Sequence, residues 1–144
     1  MKALVCSDFG STQDLTLEQR EDLEPGAGEV LIDVKAAGVN FPDILTVEGK
    51  YQFKPELPFI PGTEVSGVVT KLGKGVATRK VGDEVVGMVQ IGGFASQVVT
   101  SEYTTFPKGS SMSYEQAAGF AVTYGTSYYA LKQRAQLQPG ETVL

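Results

Sequence analysis

The amino-acid sequence predicts a mainly β fold that ends in helices. In the segment Pro58–Val85, β-branched pairs are interrupted by glycines at positions 62, 67, 73, 75 and 82, a pattern typical of short strands that turn sharply. Residues 29–38 alternate between apolar and polar side chains, as expected of a strand with one buried face. From Ser113 to Ala135, alanine and long side chains dominate, which indicates helices.

Size and composition describe one ordinary globular domain. The chain has 144 residues, of which 42% are apolar and 20% are charged, and these values are usual for a single domain. No apolar run approaches the roughly 20 residues that span a bilayer, and Asp8 interrupts the N-terminus before the core of a signal peptide could form. The net charge of −5 and the lack of a basic cluster argue against a nucleic-acid surface. We therefore expect a cytoplasmic protein that binds neither membranes nor nucleic acids.

Three further strands are predicted from short apolar runs. Residues 2–6 form an opening strand in which Cys6 is a small core residue rather than a reactive thiol, since no cationic residue adjoins it. Residues 84–89 and 95–100 form two more strands on either side of Gly92-Gly93. Because paired glycines favour tight turns, these two strands are predicted to form a hairpin.

Two segments without sustained periodicity are predicted as loops. The acidic residues 17–24 lead into the turn residues 25–28. In residues 41–54, Pro42 is suited to the first turn of a helix, but Gly49 follows soon after. This second segment is therefore predicted to hold one helical turn and otherwise to be loop.

The C-terminal part is predicted to contain two helices broken near Gly119. Ser113 and Gln116 have the spacing of a capping box, in which each side chain bonds the other's backbone amide. The second helix carries an apolar stripe, which is predicted to face the core, formed by Phe120, Tyr124, Tyr128 and Leu131. Residues 138–140 should end this helix, and residues 142–144 should begin a new strand.

The usual zinc ligands are missing from the sequence. Histidine is absent and Cys6 is the only cysteine, whereas protein zinc sites are built mainly from these two residue types. The acids Asp43 and Glu64 offer hard oxygen atoms, which suit calcium or magnesium better. We expect no metal site, and we expect these two acids to accept hydrogen bonds from loop amides rather than to donate protons.

Five motifs, in matching order and spacing, resemble the medium-chain dehydrogenase/reductase superfamily. They are Gly62-Thr63-Glu64 with Gly67, Gly73 and Val76; residues 25–40; residues 81–85; residues 93–95; and residues 126–131 with 138–141. The resemblance implies a GroES-like, partly open antiparallel β-barrel, which is the catalytic domain of these enzymes. It also implies a Rossmann domain after it. Residues 1–121 would then be the substrate domain, and residues 122–144 a linker helix with the first strand of a truncated nucleotide-binding domain.

Two positions distinguish the chain from zinc-dependent members of that superfamily. Asn40 stands where those members have a cysteine, and Thr63 where they have a histidine. The cysteine-rich lobe is also absent between residues 84 and 100. The chain is thus similar to the zinc-free branch of quinone oxidoreductases and ζ-crystallin. This resemblance implies NADPH-dependent reduction of quinones or α,β-unsaturated carbonyls by hydride transfer. We also expect the protein to form a homo-oligomer, namely a dimer.

The predicted site contains three residues. Asn40 and Tyr51 are the predicted catalytic groups, and Asn40 and Thr126 are predicted to contact the cofactor. The Asn40 amide ends a predicted strand, where it could donate to a carbonyl or a ribose hydroxyl, or could instead cap the following turn. Thr126 matches the family's threonine near the nicotinamide amide; alternatively, its hydroxyl bonds within its own helix. Tyr51 matches the second of two tyrosines that line the family's substrate cleft, where a phenol can donate to a carbonyl. Leu45 replaces the first tyrosine and would make the pocket more apolar.

A non-enzymatic barrel is the alternative, either a co-chaperonin-like oligomeric module or a crystallin-like structural protein, because a fold does not define an activity. The predicted helices at 113–135 argue against a bare co-chaperonin barrel. The family binds the coenzyme pyrophosphate at a glycine-rich turn that would follow residue 144. We therefore expect the 144 residues alone neither to bind NADPH tightly nor to turn over.

Overall fold

The computed structural model describes residues 1–144 and confirms the mainly β fold. The strands are β1 (Lys2–Val5), β2 (Thr16–Gln19), β3 (Glu29–Gly38), β4 (Glu64–Leu72), β5 (Glu84–Met88), β6 (Gln97–Ser101) and β7 (Thr105–Pro107). The helices are α1 (Phe41–Val47), α2 (Tyr114–Ala118) and α3 (Ala121–Tyr128), the last continuing as a π-helix over Tyr129–Arg134. None of the helices combines the length and the apolar character that a membrane crossing requires.

All strand pairs are antiparallel and form two sheets. The larger sheet has the order β6-β3-β4-β5-β7, and β1 pairs with β2 in a smaller one. The larger sheet curls on itself. The Thr100 hydroxyl on β6 donates to the Met88 carbonyl on β5 at 2.8 Å, although two strands lie between β6 and β5 in the sheet. The sheets do not close, so the barrel is partly open, as predicted.

The core lies inside this curled sheet. It is a cluster of buried aliphatic side chains, Val30, Ile32, Val65, Val69, Val85 and Val98. Burial of each such side chain stabilises the fold by roughly 1.5–3 kcal/mol. The strand predicted at residues 29–38 is confirmed, but Leu31, which shares a face with the polar residues Asp33 and Lys35, is buried. Because neighbouring residues of a strand point to opposite faces, both faces of β3 are covered at this position.

The predicted hairpin around Gly92-Gly93 is wrong. The strands β5 and β6 exist, but β5 pairs with β4 and β7, whereas β6 pairs with β3. The backbone amides of Gly92 and Gly93 donate to the carbonyls of Ile60 and Gly62 instead of closing a turn. The connection therefore crosses to the free edge of β3.

The two segments predicted as loops each contain a regular element. The strand β2 pairs with β1 although it lies at the surface. Since most of its side chains are exposed, it has no alternation for a pattern search to detect. In the other segment, α1 has seven residues and Pro42 in its first turn. It stops before Gly49, which has a φ of 67°.

The C-terminal part confirms the predicted helix start at Ser113 and the break near Gly119, whereas the last helix ends at Arg134, before residues 138–140. Ser113 accepts from the Gln116 amide at 3.2 Å, and the Gln116 side chain accepts from the Ser113 amide at 2.9 Å. Gly119 separates α2 from α3. Residues 142–144, however, are not a strand, because no strand lies beside them to supply hydrogen bonds.

The apolar stripe on α3 does not face the core, contrary to the prediction. Tyr124 and Tyr128 are each 63% exposed, and Phe120 is 45% exposed. The rings of Phe120 and Tyr124 stack on each other, with centroids 4.6 Å apart. Helical spacing shows which side chains share a face of a helix, but no element of the chain covers this face of α3.

Candidate functional site

A cleft with a volume of about 450 Å³ opens beside α1, the turn after it and the first turn of α3. Its lining includes three side chains with hydroxyl groups, which are Thr46, Tyr51 and Thr63, together with Val122. A second, more apolar groove of about 520 Å³ lies between β7 and α3. We assign the functional site to the cleft, because the groove contains none of the predicted site residues and no ionisable side chain.

Tyr51 is placed by the end of α1. Its backbone amide donates to the carbonyl of Leu45 at 3.1 Å, which turns the chain back beside the helix. The side chain is 37% exposed. Its hydroxyl makes no hydrogen bond within the chain, so the predicted donor is available in the cleft.

Asn40 lies between β3 and α1, does not line the cleft, and is only 9% exposed. Its side-chain Nδ2 donates to Glu64 Oε1 at 3.0 Å. Its backbone amide donates to Asp43 Oδ2 at 2.8 Å, which is one half of a capping box at the start of α1. The Asp43 amide makes its hydrogen bond, at 3.0 Å, to the backbone carbonyl of Asn40. The side-chain amide is thus oriented by Glu64, and its Oδ1 retains capacity to accept a hydrogen bond.

Glu64 is completely buried at the start of β4. Its second oxygen, Oε2, accepts from the backbone amide of Val122 in the first turn of α3 at 2.9 Å. A Cβ on Gly38 would overlap both the Ala118 carbonyl and the Glu64 carboxylate. A glycine is therefore required where β3, α2 and Glu64 meet.

Asp43 is the second buried acid beside the cleft and is 3% exposed. Burial raises the pKa of its carboxyl group, and the charge of Glu64 adds to this effect. The hydrogen bond from the Asn40 amide and the proximity of the Thr63 hydroxyl oppose the rise in pKa. Even so, Asp43 Oδ1 is enclosed and has no partner with hydrogen-bond geometry.

Thr126 is exposed on α3, one helical turn after Val122, and does not line the cleft. Its hydroxyl makes no intrahelical hydrogen bond, unlike those of Thr123 and Ser127, which donate to carbonyls four residues earlier. The structure thus places Tyr51 in the cleft, whereas Asn40 and Thr126 do not line it.

Sequence reasoning missed the parts played by Thr63 and Glu64. In the sequence, Thr63 stands out only as the replacement of a histidine, and Glu64 only as an acceptor for loop amides or as a hard oxygen ligand. Glu64 does accept amides, but one belongs to a side chain and the other to α3, 58 residues away. The signal in the sequence is that Glu64 begins an apolar strand. Because unpaired acids are rarely buried, an acid at this position indicates that its carboxylate has hydrogen-bond partners.

Comparison with protein families gives a match between residues 26–138 and the family described as "Alcohol dehydrogenase GroES-like domain". Among curated proteins, the "Quinone oxidoreductase-like protein 2 homolog" of Nematostella vectensis is 44% identical over 99% of this chain and 39% of its own length. The chain therefore spans less than half the length of the curated relatives it matches.

Two solved structures illustrate the similarity of the fold. The human synaptic vesicle membrane protein VAT-1 homolog-like protein superposes with a TM-score of 0.94, at 35% identity, over 97% of this chain and 45% of that one. The quinone oxidoreductase of Thermus thermophilus, solved with and without NADPH, gives a TM-score of 0.85 at 37% identity, over 98% and 43% respectively.

Proposed function

The chain belongs to the alcohol dehydrogenase GroES-like domain family, and from this premise we propose that it is the substrate domain of a cytoplasmic, NADPH-dependent and zinc-independent oxidoreductase. The proposed substrates are quinones or α,β-unsaturated carbonyls. The GroES-like fold and the superfamily predicted from the motifs are confirmed. Relatives named as quinone oxidoreductases support the reaction class.

The observation that carries this proposal is the cleft with its hydroxyl groups. Hydride addition to a conjugated carbonyl places negative charge on the carbonyl oxygen, and oriented donors in a confined site stabilise that charge. Tyr51 has an unpaired hydroxyl in the cleft, and Thr63 contributes a second one. Apolar neighbours such as Phe53, Val89 and Val122 would contact the rest of the substrate.

The residues of this chain fit the nicotinamide end of the coenzyme. When bound, NADPH would supply the hydride. The side-chain oxygen of Asn40 and the free hydroxyl of Thr126 are suitable partners for a ribose hydroxyl or a carboxamide. The start of α3 does not fit a phosphate, because Glu64 already occupies the amide of Val122. We propose that pyrophosphate is bound by a separate nucleotide-binding unit.

The chemistry of two side chains supports the proposed zinc independence. Asn40 carries an amide whose nitrogen is bonded to Glu64, and Thr63 carries a neutral hydroxyl; neither is an ordinary zinc ligand. We expect metal analysis of the purified chain to find no stoichiometric zinc. One tightly bound zinc per chain, lost in an Asn40→Ala or Thr63→Ala variant, would contradict this part of the proposal.

We also propose a domain boundary at Val122, with residues 1–121 as the substrate domain and residues 122–144 as a linker. The exposure of α3 and of the π-helix after it supports this division, since these residues pack little against the sheet. Limited proteolysis should release the linker and leave the sheet intact. Cleavage inside the sheet at the same rate would contradict the boundary.

The reaction is tested in an enzyme that joins this domain to a nucleotide-binding domain. NADPH oxidation should depend on added 1,4-benzoquinone or 2-cyclohexen-1-one and should be insensitive to a zinc chelator. A simple alcohol with NADP⁺ is the control, and it should not be oxidised. Chelator-sensitive alcohol oxidation without enone or quinone reduction would overturn the proposal.

A further inference from the structure

The apolar groove between β7 and α3 adjoins the cleft. Met88 lines both cavities, and the first turn of α3 contributes Ala121 to the groove and Val122 to the cleft. The two cavities are therefore neighbours that share a wall residue. A methionine side chain has three rotatable bonds and adapts easily to its surroundings. Met88 can therefore turn aside and let one ligand extend from the cleft into the groove.

The two cavities differ in the chemistry of their walls. The cleft carries the hydroxyl groups of Tyr51 and Thr63. The groove has no ionisable side chain, and its wall is formed largely by Val86, Phe106, Met112 and Phe120. Gly125 also lines the groove, and no atom lies within 4 Å of a Cβ added there. The groove is thus an open apolar channel beside a site that offers hydrogen-bond donors.

The walls of the groove are held in place by contacts within the chain. Phe106 on β7 is in register with Val86 on β5. Beyond β7, Lys108 Nζ donates to the carbonyl of Met112 at 2.8 Å and fixes the turn that carries this side chain. The groove is therefore formed before a ligand arrives, and a ligand loses little free energy in ordering it.

We propose that the substrate has a conjugated carbonyl head, which binds in the cleft, and an apolar tail, which passes Met88 and lies in the groove. The tail would contact Phe106 and Phe120, while the head would accept from the hydroxyls of the cleft. The inference rests on the proposed function, because it names the substrate class of the same cleft. The tail takes no part in hydride transfer, so its contacts stabilise the ground state and the transition state alike.

A homologous series of enones tests the tail in an enzyme that joins this domain to a nucleotide-binding domain. The series of linear alkenones from 3-penten-2-one to 3-undecen-2-one changes the tail and keeps the head. A fully buried methylene improves affinity about 4-fold, but Phe106 and Phe120 remain about half exposed. We expect KM to fall about 2-fold to 4-fold per methylene until the groove is full, with kcat nearly unchanged.

Two leucine substitutions on α3 locate the tail. Gly125→Leu places a side chain in the open part of the groove and should flatten the dependence of KM on tail length. Ser127→Leu adds the same side chain to the same helix outside both cavities, and it should keep the dependence seen in the unsubstituted enzyme. Equal dependence in the two variants would overturn the inference, because the tail would then bind elsewhere.

The same measurements separate the inference from the proposed function. If 1,4-benzoquinone is reduced, but tail length changes neither the KM of the enones nor their inhibition of that reaction, the inference fails and the proposed function stands. If neither the quinone nor any enone is reduced, both fail. If tail length has no effect and Gly125→Leu abolishes dimers of the chain in sedimentation velocity, the groove is an interface between copies and the inference is overturned.

Discussion

Glu64 joins three segments of the chain through one carboxylate. It contacts the side chain of Asn40 after β3 and the backbone of Val122 at the start of α3. Removing it would leave one buried and one partly buried donor without a partner, and the loss at the buried donor costs about 1–3 kcal/mol. The orientation of the Asn40 amide, and therefore the group that it offers a ligand, depends on this residue.

A substitution of Tyr51 gives a kinetic prediction at the scale of single residues. In an enzyme that carries this domain, Tyr51→Phe removes one donor and little volume, so we expect kcat to fall about 10-fold to 100-fold with KM nearly unchanged. This loss equals about 1.4 to 2.7 kcal/mol. Steady-state kinetics with a quinone substrate measures it. Tyr103→Phe, at an exposed position outside the cleft, is the control, and equal kinetics in both variants would remove Tyr51 from the site.

Asp43 makes stability depend on pH in a defined direction. Its pKa is raised in the folded state, so its contribution is fully present below the unfolded pKa of about 3.9 and is lost as the pH rises through the folded pKa. Asp43→Asn cannot ionise, and its stability relative to the original chain should increase from pH 4 to pH 7. Urea unfolding at several pH values measures this difference. A difference that stays constant, or that falls with pH, would contradict the direction of the shift.

At the scale of elements, Gly38 lies at a close approach between the sheet and α2. Gly38→Ala places a Cβ against the Ala118 carbonyl and the Glu64 side chain, and overpacking of this kind costs about 1–3 kcal/mol. Gly125→Ala is the matched control, since nothing lies within 4 Å of its added Cβ in α3. The control should gain about 0.5–1 kcal/mol. Urea denaturation compares the two, and a loss of similar size in both would show that the contact at Gly38 is unimportant.

At the scale of the whole molecule, we expect the 144 residues alone to bind NADPH no more tightly than millimolar. Asn40 and Thr126 can contribute a few hydrogen bonds worth about 1 kcal/mol each, which do not offset the several kcal/mol lost on immobilising a ligand. Calorimetric titration of the isolated chain with NADPH measures the affinity. A micromolar dissociation constant would mean that the coenzyme site lies elsewhere in these residues.

The exposed aromatic face of α3 should promote self-association of the isolated chain. Phe120, Tyr124 and Tyr128 are all at least 45% exposed, and exposed apolar patches favour association. We expect sedimentation velocity to show dimers that Tyr128→Lys weakens. Tyr103→Lys, on another exposed surface, should leave them unchanged. A chain that stays monomeric at high concentration would contradict this expectation and would not support the homodimer expected from the sequence.

The sequence by itself determined the features that depend on neighbours within a few residues. The strand at residues 29–38, the capping box of Ser113 and Gln116, and the break at Gly119 all appear in the structure. Pro42 and Gly49 likewise bound α1. The family motifs identified the GroES-like fold and placed Tyr51 at a cleft. Local backbone preference and burial periodicity are short-range properties, so a single sequence contains them.

Only the tertiary structure decided which distant groups meet. It paired β6 with β3 instead of β5, added the exposed strand β2, and left the face of α3 uncovered. It also joined Glu64 to Val122 across 58 residues and enclosed an unsatisfied oxygen of Asp43. The physical reason is that a backbone amide, a strand edge or an apolar face can bond or pack with any suitable partner. The order of the sheet determines which partner comes within reach.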